Sequence, residues 1–309
     1  MPMPVCLVHF GPYQPLWQQP GLLQAGPQLP DGPYSLQLSQ PTIQALRAGL
    51  KRRAWPSRSV LLHYSDPFLM RACPLQGVRQ WPGPRLLACG DLHHGPAPLD
   101  TLAAYQGEEP HDAVMLTFNP ALLGEVQARL NVPVRCLAPS FFRYPAAQRA
   151  ASPERVLLHV GSLGPHHPRR RALVEALQAR GRIPFRHATT ASAEEAAELY
   201  ARHALVLNVP LNHDLNHRLF EVMAAGTAQV VFADPSLVGP LQHLTERPDV
   251  FWAGSIEQLE ALVQRLFSSP EPLDGLAVEP PPYWALQDLL KTAFQPQLGS
   301  VRSGQTVLL

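Results

Sequence analysis

Short apolar segments rich in Val and Leu recur along the chain, and most are followed by a stretch with helical periodicity. This alternation is typical of parallel β-sheets with crossover helices, so the sequence predicts an α/β fold. The strands predicted in the first half are Val5–Phe10, Ser59–His63, Arg85–Cys89, Ala113–Leu116 and Val134–Leu137. Prolines suited to a first helical turn favour helices at Pro41–Arg53, Pro98–Gln106 and Pro120–Leu130.

The pattern restarts after Pro145–Pro153, a polar segment that we interpret as a linker between domains at 1–150 and 151–309. A length of 309 residues suits two domains of about 150 residues each. The strands predicted in the second half are Arg155–Val160, Ile183–Arg186, Ala204–Asn208 and Ala228–Phe232. The predicted helices are Pro168–Arg180, Ser192–Arg202, Asn216–Ala225, Ile256–Phe267 and Tyr283–Phe294. The second half is therefore expected to be a Rossmann-like unit.

Composition narrows the possible partners and the cellular compartment. The 25 Lys and Arg residues are balanced by 24 Asp and Glu, which leaves no overall field to recruit nucleic acid. The four cysteines form no C-x-x-C pair and the first residues lack the layout of a signal peptide, so we expect a cytoplasmic protein. No apolar stretch is long enough to span a bilayer, although peripheral membrane contact stays open. Prolines cluster at 2–33, 74–98 and 270–282, where we expect loops.

The segment 208–234, NVPLNHDLNHRLFEVMAAGTAQVVFAD, runs from a buried strand through a polar loop into a helix ended by Gly226. Such loops bind ligands in open α/β sheets. The start of the helix offers unpaired N–H groups for a phosphate, and Arg218 adds a bidentate donor. Glu221 can accept two hydrogen bonds from the vicinal hydroxyls of a ribose. The candidate binding residues here are Asn216, Arg218, Leu219 and Glu221, and the alternative is a surface ion pair of Arg218 with Glu221.

A second anion-binding segment is predicted at 160–171, VGSLGPHHPRRR, where a strand, a turn and a helix follow one another. Gly161 and Gly164 lack the Cβ atoms that would keep a diphosphate away from the backbone, and Ser162 lies between them. Arg169 or Arg170 is the candidate that neutralises the diphosphate. The alternative is an ordinary turn followed by a basic helix end.

The run RLFEVMAAGT at 218–227, with the strand after it, resembles the R-x-F-E-x-x-A-x-G-x-x-x-V/L pattern of GT-B glycosyltransferases. It looks most similar to the family 4-like and spore-maturation-type groups. The resemblance implies two Rossmann-like domains facing a cleft, with the acceptor on the first and the nucleotide sugar on the second. It also implies that Glu221 holds the nucleotide ribose, that the last helix crosses back to the first domain, and that the donor is a nucleoside-diphosphate sugar without a metal or other cofactor. The acceptor, whether glycan, lipid or protein, is left open.

His213 departs from this pattern, because many family 4 enzymes carry a glutamate at the position eight residues before the ribose-binding one. We therefore assign catalytic roles to His213 and Arg218 without carrying over the donor or the stereochemistry of that family. A solvated loop residue is the alternative for His213. A GT-B protein that binds a nucleotide without catalysis is the corresponding alternative for the whole chain.

Asp91 and His93 follow a predicted strand in the first half and are candidates for acceptor or catalytic contacts. The alternative is a loop in which Asp91 caps a turn. Asp91-Leu92-His93 also imitates the D-x-H that begins metallophosphoesterase sites, with the histidines at 166, 167, 213 and 217 as further ligands. The G-D-x-x-D and G-N-H elements of that family do not follow, so the metal-dependent hydrolase is the runner-up.

Overall fold

The computed structural model describes residues 4–93, 95–136, 142–165, 167–211, 214–268, 273, 276 and 278–281. The described chain divides into two compact units between Phe142 and Arg143. Each unit contains one parallel sheet with helices, which confirms the predicted α/β class. Within these ranges, no helix is long and apolar enough to cross a membrane.

The first unit contains a seven-stranded sheet with the order β3-β2-β1-β4-β5-β6-β7. Its strands are β1 Val5–Val8, β2 Leu22–Gly26, β3 Ser35–Gln37, β4 Val60–Ser65, β5 Arg85–Cys89, β6 Ala113–Leu116 and β7 Val134–Cys136. Its helices are α1 Ile43–Arg52, α2 Pro67–Ala72, α3 Pro98–Glu108 and α4 Leu123–Arg129. All of the strand pairings are parallel, and the order is that of a Rossmann sheet.

The second unit contains a five-stranded parallel sheet with the order β12-β11-β10-β8-β9. Its strands are β8 Glu154–Val160, β9 Phe185–Ala188, β10 His203–Asn208, β11 Ala228–Val231 and β12 Val250–Trp252. Its helices are α5 Pro168–Arg180, α6 Ala193–Arg202, α7 His217–Ala224 and α8 Ile256–Ser268. The chain changes direction across the sheet between β8 and β10, and ligands bind at such switch points in open α/β sheets.

The central strand β10 and the helix α7 fix the ends of the polar loop between them, because both pack apolar side chains into the core. β10 is buried along its whole length between β8 and β11. α7 packs Leu219, Val222 and Met223 inward and ends at Gly226, whose φ is +66°. The amides of Gly226 and Thr227 donate to the carbonyls of Met223 (3.0 Å) and Val222 (3.1 Å), a Schellman arrangement that ends the helix as predicted.

The first proline-rich region, residues 2–33, was predicted to be a loop, but it contains a strand. β2 lies within it, because Leu22, Leu23 and Ala25 are buried in the sheet while the nearest prolines, Pro20 and Pro27, lie outside the strand. β3, α2 and β12 are further elements that the apolar pattern did not predict, and all of them are short. The helix predicted at Pro120–Leu130 begins with a 3₁₀ turn, so α4 starts only at Leu123.

The segment that we interpreted as a linker packs against the second unit. The Arg149 guanidinium donates to the Tyr200 carbonyl (3.2 Å) and to Thr227 Oγ1 (2.9 Å). The structural division at Phe142 and Arg143 therefore lies before the boundary expected at residue 150, because Arg149 is tied to the second sheet. The helix predicted at Tyr283–Phe294 lies outside the described residues.

Candidate functional site

The two segments predicted to bind a phosphate meet at the switch point of the second sheet. The loop after β8 carries Gly161, and the loop after β10 leads into α7, where Arg218 lies in the first turn. A Cβ atom on Gly161 would lie only 2.7 Å from Arg218 Nη2. The φ of Gly161 is +144°, a conformation that favours glycine. Glycine is thus required at 161 both for the turn and for the space that the guanidinium occupies.

The Arg218 guanidinium has a buried donor that no described residue uses. Its Nε donates a long hydrogen bond to the Tyr200 hydroxyl (3.4 Å), which in turn donates to Glu221 Oε2 (3.4 Å). Nη1 is buried and has no hydrogen-bond partner among the described residues. No ion pair joins Arg218 to Glu221 in the described chain, since the Tyr200 hydroxyl stands between them. Unused N–H groups on a cation next to a switch point suit an anionic ligand.

Arg170 is the second cation of the site. It is 8% exposed, and its Nη1 and Nη2 make only long contacts, each of 3.4 Å, with the carbonyls of Ser162 and Val209. Nε is buried without a hydrogen-bond partner in the described part of the chain. Burial lowers the Arg170 pKa to about 10; the nearby Arg218 also lowers it, whereas Asp214 opposes the shift. Two guanidinium groups therefore share a partly desolvated region.

Arg169 precedes Arg170 on α5 and is exposed. The helical period of α5 distinguishes the two arginines, because Leu173, Val174 and Leu177 are buried and Arg170 precedes them by three, four and seven residues. Arg170 is thus on the inward face, and this signal was available in the sequence. Of the two alternatives, the structure brings Arg170 to the site and leaves Arg169 in solvent.

Glu221 is half-buried beside this cationic region. Burial raises the pKa of its carboxyl group, while the positive charge of Arg218 and the Tyr200 hydrogen bond act in the other direction. Asn216 stands immediately before α7 without capping it, and its Oδ1 is buried without a partner among the described residues. Leu219 differs from its prediction: it is 1% exposed and its amide donates to the Asn216 carbonyl (3.2 Å). The Leu219 side chain therefore belongs to the core.

The glycine-containing turn after β8 uses its amides internally. The Gly161 amide donates to the Ala188 carbonyl (2.9 Å), and the Gly164 amide donates to Ser162 Oγ (3.0 Å). The expectation that these two amides approach a diphosphate is therefore corrected, because both already have acceptors. In this turn, Gly161 makes room for Arg218, and the free donors belong to the arginine side chains.

Sequence reasoning missed three residues beneath the site, namely His159, His187 and Tyr200. His187 Nε2 donates to the Gly161 carbonyl (2.8 Å), and its ring stacks on His159 at 5.8 Å. His159 Nδ1 donates to the Leu207 carbonyl (3.0 Å). Burial and, after it, the proximity of Arg218 lower the His159 pKa to about 3, so this imidazole is neutral at physiological pH. These contacts hold the turn and β10 in place, and the neutral His159 adds no positive charge.

The candidate residues of the first unit, Asp91 and His93, lie on the loop after β5, which contacts the end of β4 and the loop after β6. The His93 imidazole lies against the Asp91 carboxylate, and both side chains are half-buried. The Gly90 amide donates to the Ser65 carbonyl (2.7 Å), and the Leu92 amide donates to Asn119 Oδ1 (2.8 Å). A carboxylate paired with an imidazole can accept and release a proton. The structure thus brings Asp91 and His93 together on a fixed loop.

Several predicted residues cannot be placed. His213, the candidate catalytic residue, lies outside the described residues, and so does the histidine at 166 that the hydrolase alternative invoked. His217 is described, and it shares a hydrogen bond with the Tyr144 hydroxyl (2.9 Å) in the second unit. Its ring also packs edge-on against Tyr144.

Comparison with known proteins places these observations in context. Residues 149–277, within the second unit, match the protein-family model described as "Glycosyl transferase-like". The structure of sucrose-phosphate synthase from Thermosynechococcus elongatus is 13% identical over 98% of each chain, with a TM-score of 0.53. TarM is 11% identical over 84% of this chain, which spans 57% of TarM, with a TM-score of 0.48. MurG from Acinetobacter baumannii is 13% identical over 94% of this chain and 99% of its own, with a TM-score of 0.41.

A comparison with curated proteins finds no match. The likeness to the synthase confirms the GT-B-like α/β class, with one parallel sheet in each unit.

Proposed function

We propose that this protein transfers a sugar from a nucleoside-diphosphate sugar to an acceptor hydroxyl, because residues 149–277 match the glycosyl transferase-like family model and the chain has a GT-B-like α/β fold. The observation that carries the proposal is the pair of guanidinium groups, Arg170 and Arg218, at the switch point of the second sheet. Both have buried N–H groups that have no partner among the described residues.

A diphosphate would supply the hydrogen-bond acceptors and the negative charge that Arg170 and Arg218 lack among the described residues. Two cations held close together in a partly desolvated region repel each other, and unpaired buried donors are costly. The negative charge and acceptor oxygens of a diphosphate reverse both effects, and they do so most strongly when the diphosphate leaves with the bonding electrons. Arg218 and Arg170 then stabilise the departing nucleoside diphosphate, while the acceptor oxygen bonds to the anomeric carbon and loses its proton.

The neighbouring side chains take the remaining roles in this proposal. Glu221 accepts hydrogen bonds from the ribose hydroxyls, since its ionised carboxylate offers two acceptor oxygens at the start of α7. Tyr200 is a positioning residue, because its hydroxyl links Arg218 to Glu221. Asp91 and His93 are assigned to the acceptor, and the imidazole receives its proton. Catalysis in this scheme rests on charge stabilisation and orientation and requires no metal.

A thermal-shift screen tests the donor class. UDP-, GDP-, dTDP- and ADP-sugars are each added to the full chain, and a nucleotide sugar that binds the folded state raises its melting temperature. We expect one base to give a clear shift and slow hydrolysis of the sugar when no acceptor is present. Arg170→Gln should abolish the shift, whereas Arg169→Gln, which changes an exposed neighbour on the same helix, should preserve it.

The possible results separate the alternatives. A stable protein that gives no shift with any nucleotide sugar contradicts the proposal. Binding without hydrolysis identifies a non-catalytic nucleotide-binding protein. A transition metal bound stoichiometrically to protein purified without a His tag favours the metal-dependent hydrolase.

A further inference from the structure

The first unit contains a cavity of about 480 Å³ beside the C-terminal half of α1. Its lining includes Gln44, Arg47, Lys51, Trp55, Gln80 and Trp81. The lining segments precede β4 and β5, so the cavity lies at the amino edge of the first sheet. Asp91 and His93 follow β5 at the carboxyl edge. The cavity is therefore separate from the residues that we assign to sugar transfer.

Trp55 follows the C-terminal end of α1 and lines the cavity. The amides of Ala54 and Trp55 donate to the carbonyls of Lys51 (3.2 Å) and Leu50 (3.0 Å), which is a Schellman arrangement. Ala54 occupies the left-handed position with a φ of +51°, where glycine is the usual residue, at a cost of about 1 kcal/mol. The strained turn at Ala54 places the next residue, Trp55, in the wall of the cavity.

The second indole is fixed by a hydrogen bond. Trp81 Nε1 donates to the Ser59 carbonyl (2.9 Å), and the side chain is only 5% exposed. Trp81 is therefore part of a rigid wall that belongs to the core of the unit. Trp55 and Trp81 together give the cavity an aromatic lining against which a ring can pack.

The charged residues in the lining of this cavity are both positive. Arg47 and Lys51 lie one turn apart on α1 and are both exposed. None of the described residues that line the cavity is acidic, and within the described ranges neither cation forms an ion pair. Arg53, which is not in the lining, pairs instead with Asp31 (2.9 Å). An anionic group is thus the natural counterpart of Arg47 and Lys51.

We propose that this cavity binds a small organic anion whose ring packs against Trp55 and Trp81 and whose phosphate or carboxylate is held by Arg47 and Lys51. The volume suits a molecule of one or two rings. Gln44 and Gln80 add amide groups that hydrogen-bond polar substituents of the ring. The proposal concerns the first unit alone and does not depend on the proposed sugar transfer.

Nuclear magnetic resonance of the tryptophan side chains tests this site in the full-length protein. The chain has five tryptophans, and ¹⁵N labelling gives each indole N–H its own signal. Phenyl phosphate is the probe. Inorganic phosphate, which has the anion without the ring, and phenol, which has the ring without the anion, are the two controls. Phenyl phosphate should shift the Trp55 and Trp81 signals saturably and bind at least about tenfold more tightly than either control. Trp55→Phe and Trp81→Phe assign the two signals.

Charge variants locate the anion. Arg47→Gln combined with Lys51→Gln should weaken phenyl phosphate by about tenfold or more, because the charge-assisted hydrogen bonds are lost. Arg52→Gln changes an exposed cation on the same helix outside the lining and should alter the affinity by less than about twofold. Arg218→Gln should leave the Trp55 and Trp81 shifts intact, which separates this site from the proposed donor site.

Results of three kinds, on the charges, on the tryptophans and on the binding itself, would overturn the proposal. The first is an unchanged affinity in the Arg47→Gln, Lys51→Gln protein. The second is a set of shifts confined to tryptophans other than Trp55 and Trp81. The third is the absence of saturable binding up to about 10 mM, or equal binding of inorganic phosphate alone.

Discussion

The carboxyl edges of the two sheets are alike in topology and differ in the charged side chains that they carry. In the first unit, side-chain acceptors satisfy the loop amides: Asn119 accepts from Leu92 (2.8 Å), and Asp66 accepts from Leu69 (2.9 Å). In the second unit, Arg170 and Arg218 bring buried N–H groups that no described residue satisfies. The carboxyl edge of a parallel sheet thus provides a position for a ligand, and the charges of the side chains at that edge determine which ligand charge it favours. We expect an anionic donor group at the second edge and an acceptor hydroxyl at the first.

The largest effect is expected from Arg218→Gln. Loss of the guanidinium removes a donor that stabilises the departing diphosphate, so kcat should fall about 10²–10³-fold. Steady-state kinetics with the nucleotide sugar selected by the thermal-shift screen measure the change. Arg169→Gln serves as the matched control and should keep kcat within about twofold, since that side chain is exposed. If the two substitutions lowered kcat equally, Arg218 would contribute no more to catalysis than the exposed Arg169, and the assignment of Arg218 would be wrong.

Gly161→Ala should have the next largest effect. The added Cβ would lie 2.7 Å from Arg218 Nη2, and alanine is strained at a φ of +144°. We expect a destabilisation of about 1–3 kcal/mol together with a fall in kcat, because Arg218 has to move. Gly181→Ala is a sharp control, since Gly181 also has a positive φ (+57°) but open space around it. It should lower the melting temperature and leave kcat unchanged; a matching loss of kcat would contradict the role of the Gly161–Arg218 contact.

Glu221→Ala should weaken binding more than turnover. Loss of the hydrogen bonds to the ribose should cost about 1–3 kcal/mol of nucleotide affinity, measured by calorimetry. kcat at saturating donor should fall less than in Arg218→Gln, because the ribose is remote from the bond that breaks. Glu198→Ala, at an exposed position on α6, is the control. If affinity for every nucleotide is unchanged in Glu221→Ala, the ribose assignment is wrong.

The smallest expected effect is a pH dependence of donor affinity. Burial raises the Glu221 pKa above its ordinary value of 4.5, so the carboxyl group becomes protonated at a higher pH than an exposed glutamate. The protonated form has lost acceptor capacity, and affinity should therefore fall as the pH drops, by less than about tenfold. A nucleotide sugar has no terminal phosphate to titrate in this range. Glu221→Gln should flatten the profile, and a slope that persists in this variant would assign the titration to another group.

Much of the second unit was predictable because its signals are local. α5 has the predicted bounds, Pro168–Arg180, since a proline begins the helix and Gly181 ends it with a left-handed φ. β10 and β11 are buried throughout and β8 is buried from Leu157 onward, so these strands contain apolar runs. β12 was missed because three residues are too few for a periodic pattern. β2 was missed because prolines on both sides concealed a short apolar strand.

The site was predictable only in outline. The sequence placed Arg218, Glu221 and Gly161 on loops and helix starts, and the structure brings Gly161 against Arg218. Tyr200 could not be found, because its role depends on how α6 packs against α7. Leu219 was assigned to the ligand, although the apolar face of α7 commits it to the core. The roles of all of these residues remain predictions until binding is measured.

Calorimetric titration of the Arg170→Gln, Arg218→Gln double variant tests whether the two guanidinium groups hold the donor. The titrant is the nucleotide sugar that raises the melting temperature of the unaltered protein, and folding of each variant is checked by its own melting curve. The affinity of the double variant should fall by at least about a hundredfold, whereas Asp91→Asn, at the carboxyl edge of the first sheet, should bind the donor as tightly as the unaltered protein. A folded double variant that binds the nucleotide sugar with unchanged affinity would contradict the proposed role of the two guanidinium groups.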